Sequence, residues 1–174
     1  MPDISIKKLE VKDVSLLSVV SSEAYSDHYL DLWYDKGQWY MEKFFSVERL
    51  TAELNDPNAV FYLAFYHNSP AGFLKLNLNA PFDAEPGKNA LELERIYLKK
   101  DYEGKGIGKK LVQLTFTIAK ENEKDLVWLK AMDTSGGPIA FYKKMGFEIV
   151  GTHRLKHELM KEELRGMVIM IRRL

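Results

Sequence analysis

The sequence predicts an α/β (α+β) protein in which about seven strands form one mixed sheet, flanked by about four helices. Stretches with alternating apolar residues are interleaved along the chain with stretches of helical spacing. Several successive strands are separated only by short turns, which indicates hairpins rather than a purely parallel sheet. No linker, repeat or low-complexity run interrupts this pattern, so we expect a single domain over residues 1–174.

Seven segments have the alternation and composition of β-strands. In chain order they read ISIKKLEV, AVFYLAFYH, PAGFLKLNL, ALELERIYL, KDLVWLKAM, FEIVGTHRL and RGMVIMIRRL. The second and third are joined by a short polar turn at Asn68 and Ser69, which predicts a hairpin. The third and fourth are separated by PFDAEPGKN, a loop by its prolines and glycine.

Four segments have helical spacing. The first, DVSLLSVVSSEAY, places Leu17, Val20 and Ala24 on one face. The second, SVERLTAELNDP, has Ser46 as its N-cap and ends at the Asp-Pro pair of residues 56–57.

The third helix follows a glycine-rich turn, and its apolar face is formed by Ile107, Leu111, Leu114 and Ile118. The fourth begins at Pro138 and ends at Gly146, positions that suit proline and glycine at the two ends of a helix. Residues 25–45, between the first and second helices, are interpreted as an aromatic-rich connection.

The composition excludes several classes of function. Lys plus Arg equals Asp plus Glu, 25 of each, so no net charge attracts nucleic acid or an anionic membrane. The absence of cysteine excludes disulfides, thiolate metal sites and a cysteine nucleophile. His153 and His157 have no third ligand nearby, so we expect no metal. MPDISIKKLE is not a signal peptide and AVFYLAFY is too short to span a bilayer, so a cytoplasmic protein is expected.

A glycine-rich turn, DYEGKGIGKKL at residues 101–111, predicts an anion site. Gly104, Gly106 and Gly108 stand between a strand and a helix N-terminus, where backbone N–H groups lack helical partners and the helix dipole favours negative charge. Three lysines add positive charge. The spacing fits neither the Walker motif nor the dinucleotide fingerprint. The alternative is a plain turn whose glycines serve only the backbone.

Two motifs give the chain a resemblance to a known family. LERIYLKKDYEGKGIGKKLV resembles the acyl-CoA-binding motif of the GNAT superfamily of N-acetyltransferases, with Gly106 and Gly108 at its glycine positions. LVWLKAMDTSGGPIAFYKKMGFEIVG resembles the second motif of that family, which ends in Tyr142, Gly146 and Phe147. More narrowly, LELERIYL, IAFYKKMGF and GTH resemble the bacterial PaiA-type polyamine N-acetyltransferases. The resemblance implies a mostly antiparallel sheet.

The same resemblance implies acetyl-CoA as co-substrate and a set of cofactor-binding residues. Two of them depart from the family pattern. Glu103 stands where Gln or Arg is usual, and Ser135 stands where an Asn commonly contacts the cofactor arm. The implied set is Ile96, Tyr97, Leu98, Glu103, Gly104, Lys105, Gly106, Ile107, Gly108, Lys109 and Ser135.

Two carboxylates on the fourth strand are candidates for acid–base chemistry. Strand alternation predicts that Glu92 and Glu94 share a face with Ile96 and Leu98. Such a pair suits binding an ammonium group and, with a raised pKa, accepting its proton. The alternative is a structural ion pair, for instance with Arg95. The resemblance favours Glu94 as the base and Glu92 in acceptor binding.

Tyr142 is the candidate proton donor. In the family, the matching tyrosine lies near the cofactor sulfur. The alternative for a helical tyrosine is simple packing. Because the chain has no cysteine, direct attack of the amine in a ternary complex is favoured over an acyl-cysteine intermediate.

The acceptor is predicted from residues 25–45, which hold eight of the 21 aromatic residues together with several acidic ones. Aromatic faces and carboxylates favour a cationic, partly aliphatic amine such as spermidine or spermine. Tyr29, Asp31 and Trp33 are therefore candidate acceptor contacts beside Glu92. The aromatics can equally cap the core. Alternatives are an aminoglycoside, an amino acid, a protein N-terminus, or a sensor that binds acyl-CoA without turnover. A homodimer is compatible with the sequence.

Overall fold

The computed structural model describes residues 3–174. This range contains seven strands and five α-helices in one sheet with helices on both faces. In chain order they are β1 Ile4–Lys8, α1 Val14–Ser26, α2 Gln38–Phe44, α3 Val47–Asn55, β2 Ala59–Tyr66, β3 Ser69–Asn77, β4 Ala90–Leu98, α4 Ile107–Glu121, β5 Leu126–Met132, α5 Gly136–Lys144, β6 Glu148–Arg154 and β7 Gly166–Arg173.

The strand order is β1-β2-β3-β4-β5-β7-β6. Only the β4–β5 pair is parallel, so the sheet is mixed and mostly antiparallel, as predicted. The predicted hairpin joins β2 to β3, and its turn places His67 and Asn68 at positive φ. Within residues 3–174 no helix has the length and apolarity needed to cross a membrane.

The fifth helix, α2, lies inside the segment interpreted as a connection. It begins after Gly37, whose φ is +79°. The Asp35 carboxylate accepts hydrogen bonds from the N–H groups of Gly37 and Trp39 at 2.9 and 2.8 Å, which fixes the start of the helix. With seven residues α2 is too short to give a clear apolar periodicity, which is why the sequence pattern missed it.

The two faces of the sheet carry separate cores. Side chains of α4 and α5 pack on one face against Leu74, Leu91 and Leu93. On the other face, α1, α2 and α3 cover a core centred on Phe61 and Phe73. Each helix therefore buries one apolar stripe against the sheet.

The sheet opens between β4 and β5. These strands pair only from Ala90 to Glu92 and from Leu126 to Trp128. Beyond Glu92 the remaining residues of β4 have no ladder to β5. The middle of the sheet therefore splays into a gap, and the end of β4 has a free edge along it.

A β-bulge at Glu94 corrects the predicted strand alternation. Leu93 pairs with Leu76 and Arg95 pairs with Lys75, so Glu94 is the extra residue of β4. The bulge reverses the alternation. Leu91, Leu93, Ile96 and Leu98 all pack on the α4–α5 face, whereas Tyr97 packs on the other. The prediction that Glu92 and Glu94 share a face with Ile96 and Leu98 is therefore wrong.

Gly72 gives a test of how tightly β3 and β4 approach each other. A Cβ added at Gly72 would lie 2.3 Å from the backbone oxygen of Tyr97 and would also overlap Leu98. Because the clash is with backbone, Gly72→Ala is expected to lower the free energy of unfolding by about 1–3 kcal/mol. Urea denaturation measures this change in the free energy of unfolding. Gly87→Ala is the control, because its Cβ would have no atom within 4 Å. Equal midpoints for the two variants would contradict the expectation.

Candidate active site

Two cavities meet at the gap between β4 and β5. The larger, about 670 Å³, lies beside the glycine turn and is called the glycine-turn cavity. The smaller, about 320 Å³, lies beside Glu92 and Glu94 and is called the carboxylate cavity. Six residues line both: Tyr29, Ile96, Tyr97, Ser135, Pro138 and Tyr142. A group bound in one cavity can therefore reach a group bound in the other.

The glycine turn ends at the N-terminus of α4. Gly104 and Gly106 have φ of +71° and +84°, and a Cβ on either would project into open space. The first backbone hydrogen bond of the helix runs from Lys110 N to Gly106 O at 3.2 Å. The N–H groups of Ile107 and Gly108 precede that bond and have no helical acceptor. Together with the dipole of a 15-residue helix, they form an anion site next to the cavity.

Ten of the eleven residues predicted to bind a cofactor line the glycine-turn cavity. The exception is Lys105, whose Nζ lies 5.3 Å from the centre of the Tyr66 ring. The lining also includes three α5 residues that the sequence analysis did not select: Gly137, Pro138 and Phe141. The ten are Ile96, Tyr97, Leu98, Glu103, Gly104, Gly106, Ile107, Gly108, Lys109 and Ser135.

His28, which the sequence analysis also missed, occupies the edge of this cavity beside Glu103. Its Nε2 lies 2.8 Å from the Leu98 carbonyl oxygen and 3.3 Å from Glu103 Oε1. Both partners are acceptors, so Nε2 carries a proton in this arrangement. The Glu103 side chain is 56% exposed and turns toward solvent and His28. The unusual carboxylate of the turn therefore lies beside a histidine side chain.

In the carboxylate cavity one amide joins the two glutamates. Asn77 Nδ2 donates to Glu92 Oε2 at 3.0 Å and to Glu94 Oε1 at 3.2 Å. Asn77 is on β3 directly opposite Glu92, so cross-strand pairing creates this bridge. The two carboxylates are thereby held side by side at the cavity wall.

Glu94 is also part of an ion cluster. Its Oε2 lies 2.8 Å from Lys75 Nζ and 3.3 Å from Arg95 Nε. The same two cations contact Glu53 on α3. The structural ion pair left open by the sequence is thus present for Glu94, whereas Glu92 has no ion pair within 4 Å among residues 3–174.

The environment separates the two carboxylates electrostatically. Burial raises the pKa of Glu92, and the neighbouring Glu94 charge raises it further despite the Asn77 hydrogen bond. Burial also raises the pKa of Glu94, but attraction to Arg95 and Lys75 outweighs it, and the pKa of Glu94 lies below its ordinary value. Glu94 therefore stays ionised, and Glu92 is the member of the pair that takes up a proton more readily.

Tyr142 stands where the two cavities meet. It is on α5, is 7% exposed, and packs against the rings of Phe141 and Phe147. Burial raises its pKa above the ordinary value, so the phenol is neutral at physiological pH. A neutral buried phenol at a junction can donate a proton to either side.

Aromatic side chains form part of the wall of the carboxylate cavity. Trp33 is 2% exposed and donates from Nε1 to the Tyr25 hydroxyl at 2.8 Å. Trp33 and Tyr29 line the cavity and also pack in the core, so both interpretations of these aromatics hold. Asp31 lies outside both linings and is exposed, because the short 3-10 turn Leu30–Leu32 directs it outward. The structure does not support it as an acceptor contact.

Lys130 and His157 also line the carboxylate cavity, and the sequence analysis missed both as site residues. The His157 ring lies 5.7 Å from Trp33, and burial followed by the nearby Lys43 and Arg165 lowers its pKa. These residues come from β5 and the β6–β7 connection, so only the fold brings them to the cavity. Across residues 3–174 no group of three His, Cys, Asp or Glu side chains has the arrangement of a metal site.

Known proteins match this fold and these motifs. Residues 21–147 match the acetyltransferase (GNAT) family. A spermidine N(1)-acetyltransferase of Thermoplasma acidophilum is 29% identical over 86% of this chain and 91% of its own length. An uncharacterised N-acetyltransferase of Lactobacillus delbrueckii subsp. lactis is 27% identical over 88% of this chain and 89% of its own length. The crystal structure of PaiA N-acetyltransferase from T. acidophilum in complex with coenzyme A covers 99% of both chains with a TM-score of 0.78 and 24% identity.

The chain belongs to the acetyltransferase (GNAT) family, a class of N-acetyltransferases.

Proposed function

We propose that the protein transfers an acetyl group from acetyl-CoA to a primary amine of a small acceptor, by direct attack in a ternary complex. The observation that carries this proposal is the junction of the two cavities at Tyr142. One cavity ends at an anion site and the other at a carboxylate pair. This arrangement suits an anionic cofactor arm and an amine that meet at one point.

The glycine-turn cavity suits acetyl-CoA, which would supply an acetyl group activated as a thioester. The N–H groups at the start of α4 would hold the pyrophosphate, and the open space over Gly104 and Gly106 gives it room. The edge of β4 at residues 96–98 has no ladder to β5, and its backbone groups other than the Leu98 carbonyl, which contacts His28, would bind the pantetheine arm. The apolar ring of Phe141 would cover its other side.

The carboxylate pair would prepare the amine. The family resemblance favoured Glu94 as the base and Glu92 in acceptor binding. The raised pKa of Glu92 and the ion pairs of Glu94 support the reverse assignment. Glu92 would accept a proton from the bound ammonium, directly or through water, and Glu94 would remain a fixed negative charge. As the new N–C bond forms and the C–S bond breaks, Tyr142 would donate its phenolic proton to the departing sulfur, and its phenolate would take up the proton that the attacking nitrogen loses.

For the acceptor, we propose a polyamine such as spermidine or spermine. The Thermoplasma relative is named for spermidine, which supports this choice. Two carboxylates and a wall of aromatic side chains at Tyr29 and Trp33 suit an ammonium group on an aliphatic chain.

One observation favours a second candidate, an amine that also carries a carboxylate, such as an amino acid or a protein N-terminus. The charged lining of the carboxylate cavity contains two cations, Arg95 and Lys130, as well as Glu92 and Glu94. Lys130 makes no ion pair within residues 3–174, so it is free to bind an anionic group of the acceptor.

Release of the CoA thiol from acetyl-CoA tests the proposal with spermidine, spermine, an aminoglycoside, an amino-acid panel and a short peptide. Saturable turnover with spermidine or spermine supports the polyamine. Turnover only with amino acids or the peptide supports the second candidate, and Lys130→Met should then raise KM for that acceptor. Thermal stabilisation by acetyl-CoA without turnover on any amine would favour a sensor. Absence of stabilisation by CoA would contradict both enzyme and sensor.

Gly106 gives a test of the cofactor site alone. Gly106→Val is expected to raise KM for acetyl-CoA about 10-fold or more, because a side chain at φ +84° strains the turn and fills the space beside the anion site. KM for the amine should change little. Gly136→Val is the control, since its Cβ also meets open space but it lies outside both cavity linings. Equal KM values for the two variants would place the cofactor elsewhere.

A further inference from the structure

A buried ion cluster lies behind the carboxylate cavity. Glu53 on α3, Lys75 on β3 and Arg95 on β4 expose 9%, 5% and 6% of their surfaces. Lys75 Nζ lies 2.5 Å from Glu53 Oε1, and Arg95 contacts both Glu53 oxygens at 3.4 Å. Arg49 adds a longer contact to Glu53, at 3.9 Å. Glu53 lines neither cavity, so it cannot touch a substrate bound there.

The cluster connects Glu53 to the carboxylate pair. Lys75 and Arg95 contact Glu94 as well as Glu53, so two carboxylates share two buried cations. The two negative charges of Glu53 and Glu94 therefore balance the two positive charges of Lys75 and Arg95. Glu92 is left with one hydrogen bond from Asn77 and no direct cation. Removing Glu53 would leave one positive charge in excess, behind the two catalytic-site carboxylates.

We propose that Glu53 is a positioning residue for acetyl transfer, which shares Lys75 and Arg95 with Glu94 and so partly offsets the effect of their charge on Glu92. This inference rests on the proposed function of the carboxylate pair. Glu53 would act without touching the substrate, because its charge on α3 keeps Glu92 basic enough to take a proton from an ammonium group.

The surroundings of Glu92 and the cluster support this effect. Glu92 is mostly buried, so charges near it are weakly screened. Neutralising Glu53 changes one of few charges in this region. The charged and titratable groups that face Glu92 or the cluster are Glu94, Arg95 and Tyr97 from β4, Lys75 from β3, Lys130 from β5, Tyr40 from α2, and Arg49 and Glu53 from α3.

The pH profile separates a positioning role from a purely structural one. On the acidic side, kcat/KM falls as pH decreases through the titration of Glu92, since the protonated carboxyl is not a base. Glu53→Gln is expected to move this limb to lower pH by about one unit, because an excess cation favours ionised Glu92. The double variant Glu53→Gln, Lys75→Met removes one negative and one positive charge, so the acidic limb of its kcat/KM profile should return toward the wild-type position.

Glu48→Gln is the matched control, since Glu48 is exposed and on the same helix. If Glu53 only ties α3 to the sheet, Glu53→Gln will lower the melting temperature without moving the limb, and the proposal is overturned. If Glu53→Gln does not fold, Glu53→Asp should give a smaller shift in the same direction. An unmoved limb in that variant overturns the proposal as well.

A titration without turnover keeps this test separate from the proposed function. Carbon NMR of the glutamate carboxyls, with the Glu92 signal assigned through Glu92→Gln, reports the Glu92 midpoint directly. The midpoint should fall in Glu53→Gln and stay in Glu48→Gln. A shift without any turnover on the amine panel would sustain the electrostatic coupling while the proposed function fails. An unchanged midpoint would overturn the coupling whatever the enzyme does.

Discussion

Replacing Glu92 with Gln is expected to lower kcat/KM for the amine by about 100-fold or more, the effect of losing a general base. The same variant should be more stable than wild type at neutral pH. The folded-state pKa of Glu92 is raised by burial, so ionising it costs folding free energy, and stability falls as pH rises through that pKa. Gln removes this cost while its carbonyl can still accept the Asn77 hydrogen bond. Steady-state kinetics and the melting temperature measure both effects.

Glu94→Gln is the comparison that separates the two carboxylates. It removes a partner of Lys75 and Arg95, so the protein should become less stable. Because the pKa of Glu94 is lowered in the folded state, the stability it contributes is present at neutral pH and is lost as pH falls through that pKa. If Glu94→Gln keeps the wild-type melting temperature and loses more activity than Glu92→Gln, Glu94 is the base, as the sequence analysis assigned it.

Tyr142→Phe is expected to lower kcat about 100-fold while KM for the amine changes little. The substitution removes the phenolic hydroxyl and leaves the ring packed against Phe141 and Phe147. The kcat should fall because the proton donor at the junction of the cavities is lost. In the wild type, burial raises the pKa of this phenol and keeps it neutral.

Tyr29→Phe is the matched control for this prediction. Tyr29 lines both cavities, and it is a candidate acceptor contact. Its loss should therefore change KM for the amine more than kcat. An unchanged kcat in Tyr142→Phe would mean that Tyr142 only packs in the core. If both variants lower kcat equally, the data would not identify Tyr142 as the proton donor.

Local patterns in the sequence predicted the strands, four of the five helices and the glycine turn, and the family resemblance supplied the set of cofactor contacts. The seven strands follow from alternation, and the glycine turn follows from a run of glycines between a strand and a helix. Ten of the eleven predicted cofactor contacts are contiguous with these local features or with Ser135 at the start of α5, which explains why they line one cavity. Lys105 differs because neighbouring residues of a tight turn point in different directions.

Features that depend on strand pairing could not be predicted in this way. The bulge at Glu94 arises from the register between β3 and β4, and one extra residue is enough to reverse the predicted face. One partner of Glu94, Arg95, is its neighbour in sequence and was anticipated, but Lys75 lies 19 residues away and Glu53, in the cluster behind the cavity, is on another element. Asn77 and His157 reach the site in the same way. A single sequence carries no signal for such contacts between distant segments.

For the acceptor-binding residues too, the sequence pattern indicated some side chains at the cavity, but backbone geometry decided others. The concentration of aromatics in residues 25–45 led to the prediction of Tyr29 and Trp33 as acceptor contacts, and both side chains line the carboxylate cavity. Asp31 was selected only for its charge and proximity in sequence, and the turn that contains it faces outward. The direction of a side chain in an irregular segment depends on backbone geometry that composition does not report.

Initial-velocity kinetics with acetyl-CoA and an accepted amine, both varied, test the central claim most directly. Acetyl transfer at the junction of two cavities requires both substrates to be bound together. Double-reciprocal plots are therefore expected to intersect, and mass spectrometry should find the acetyl group on the amine. Parallel lines, with an acetyl group trapped on the protein when the amine is omitted, would contradict direct transfer in a ternary complex.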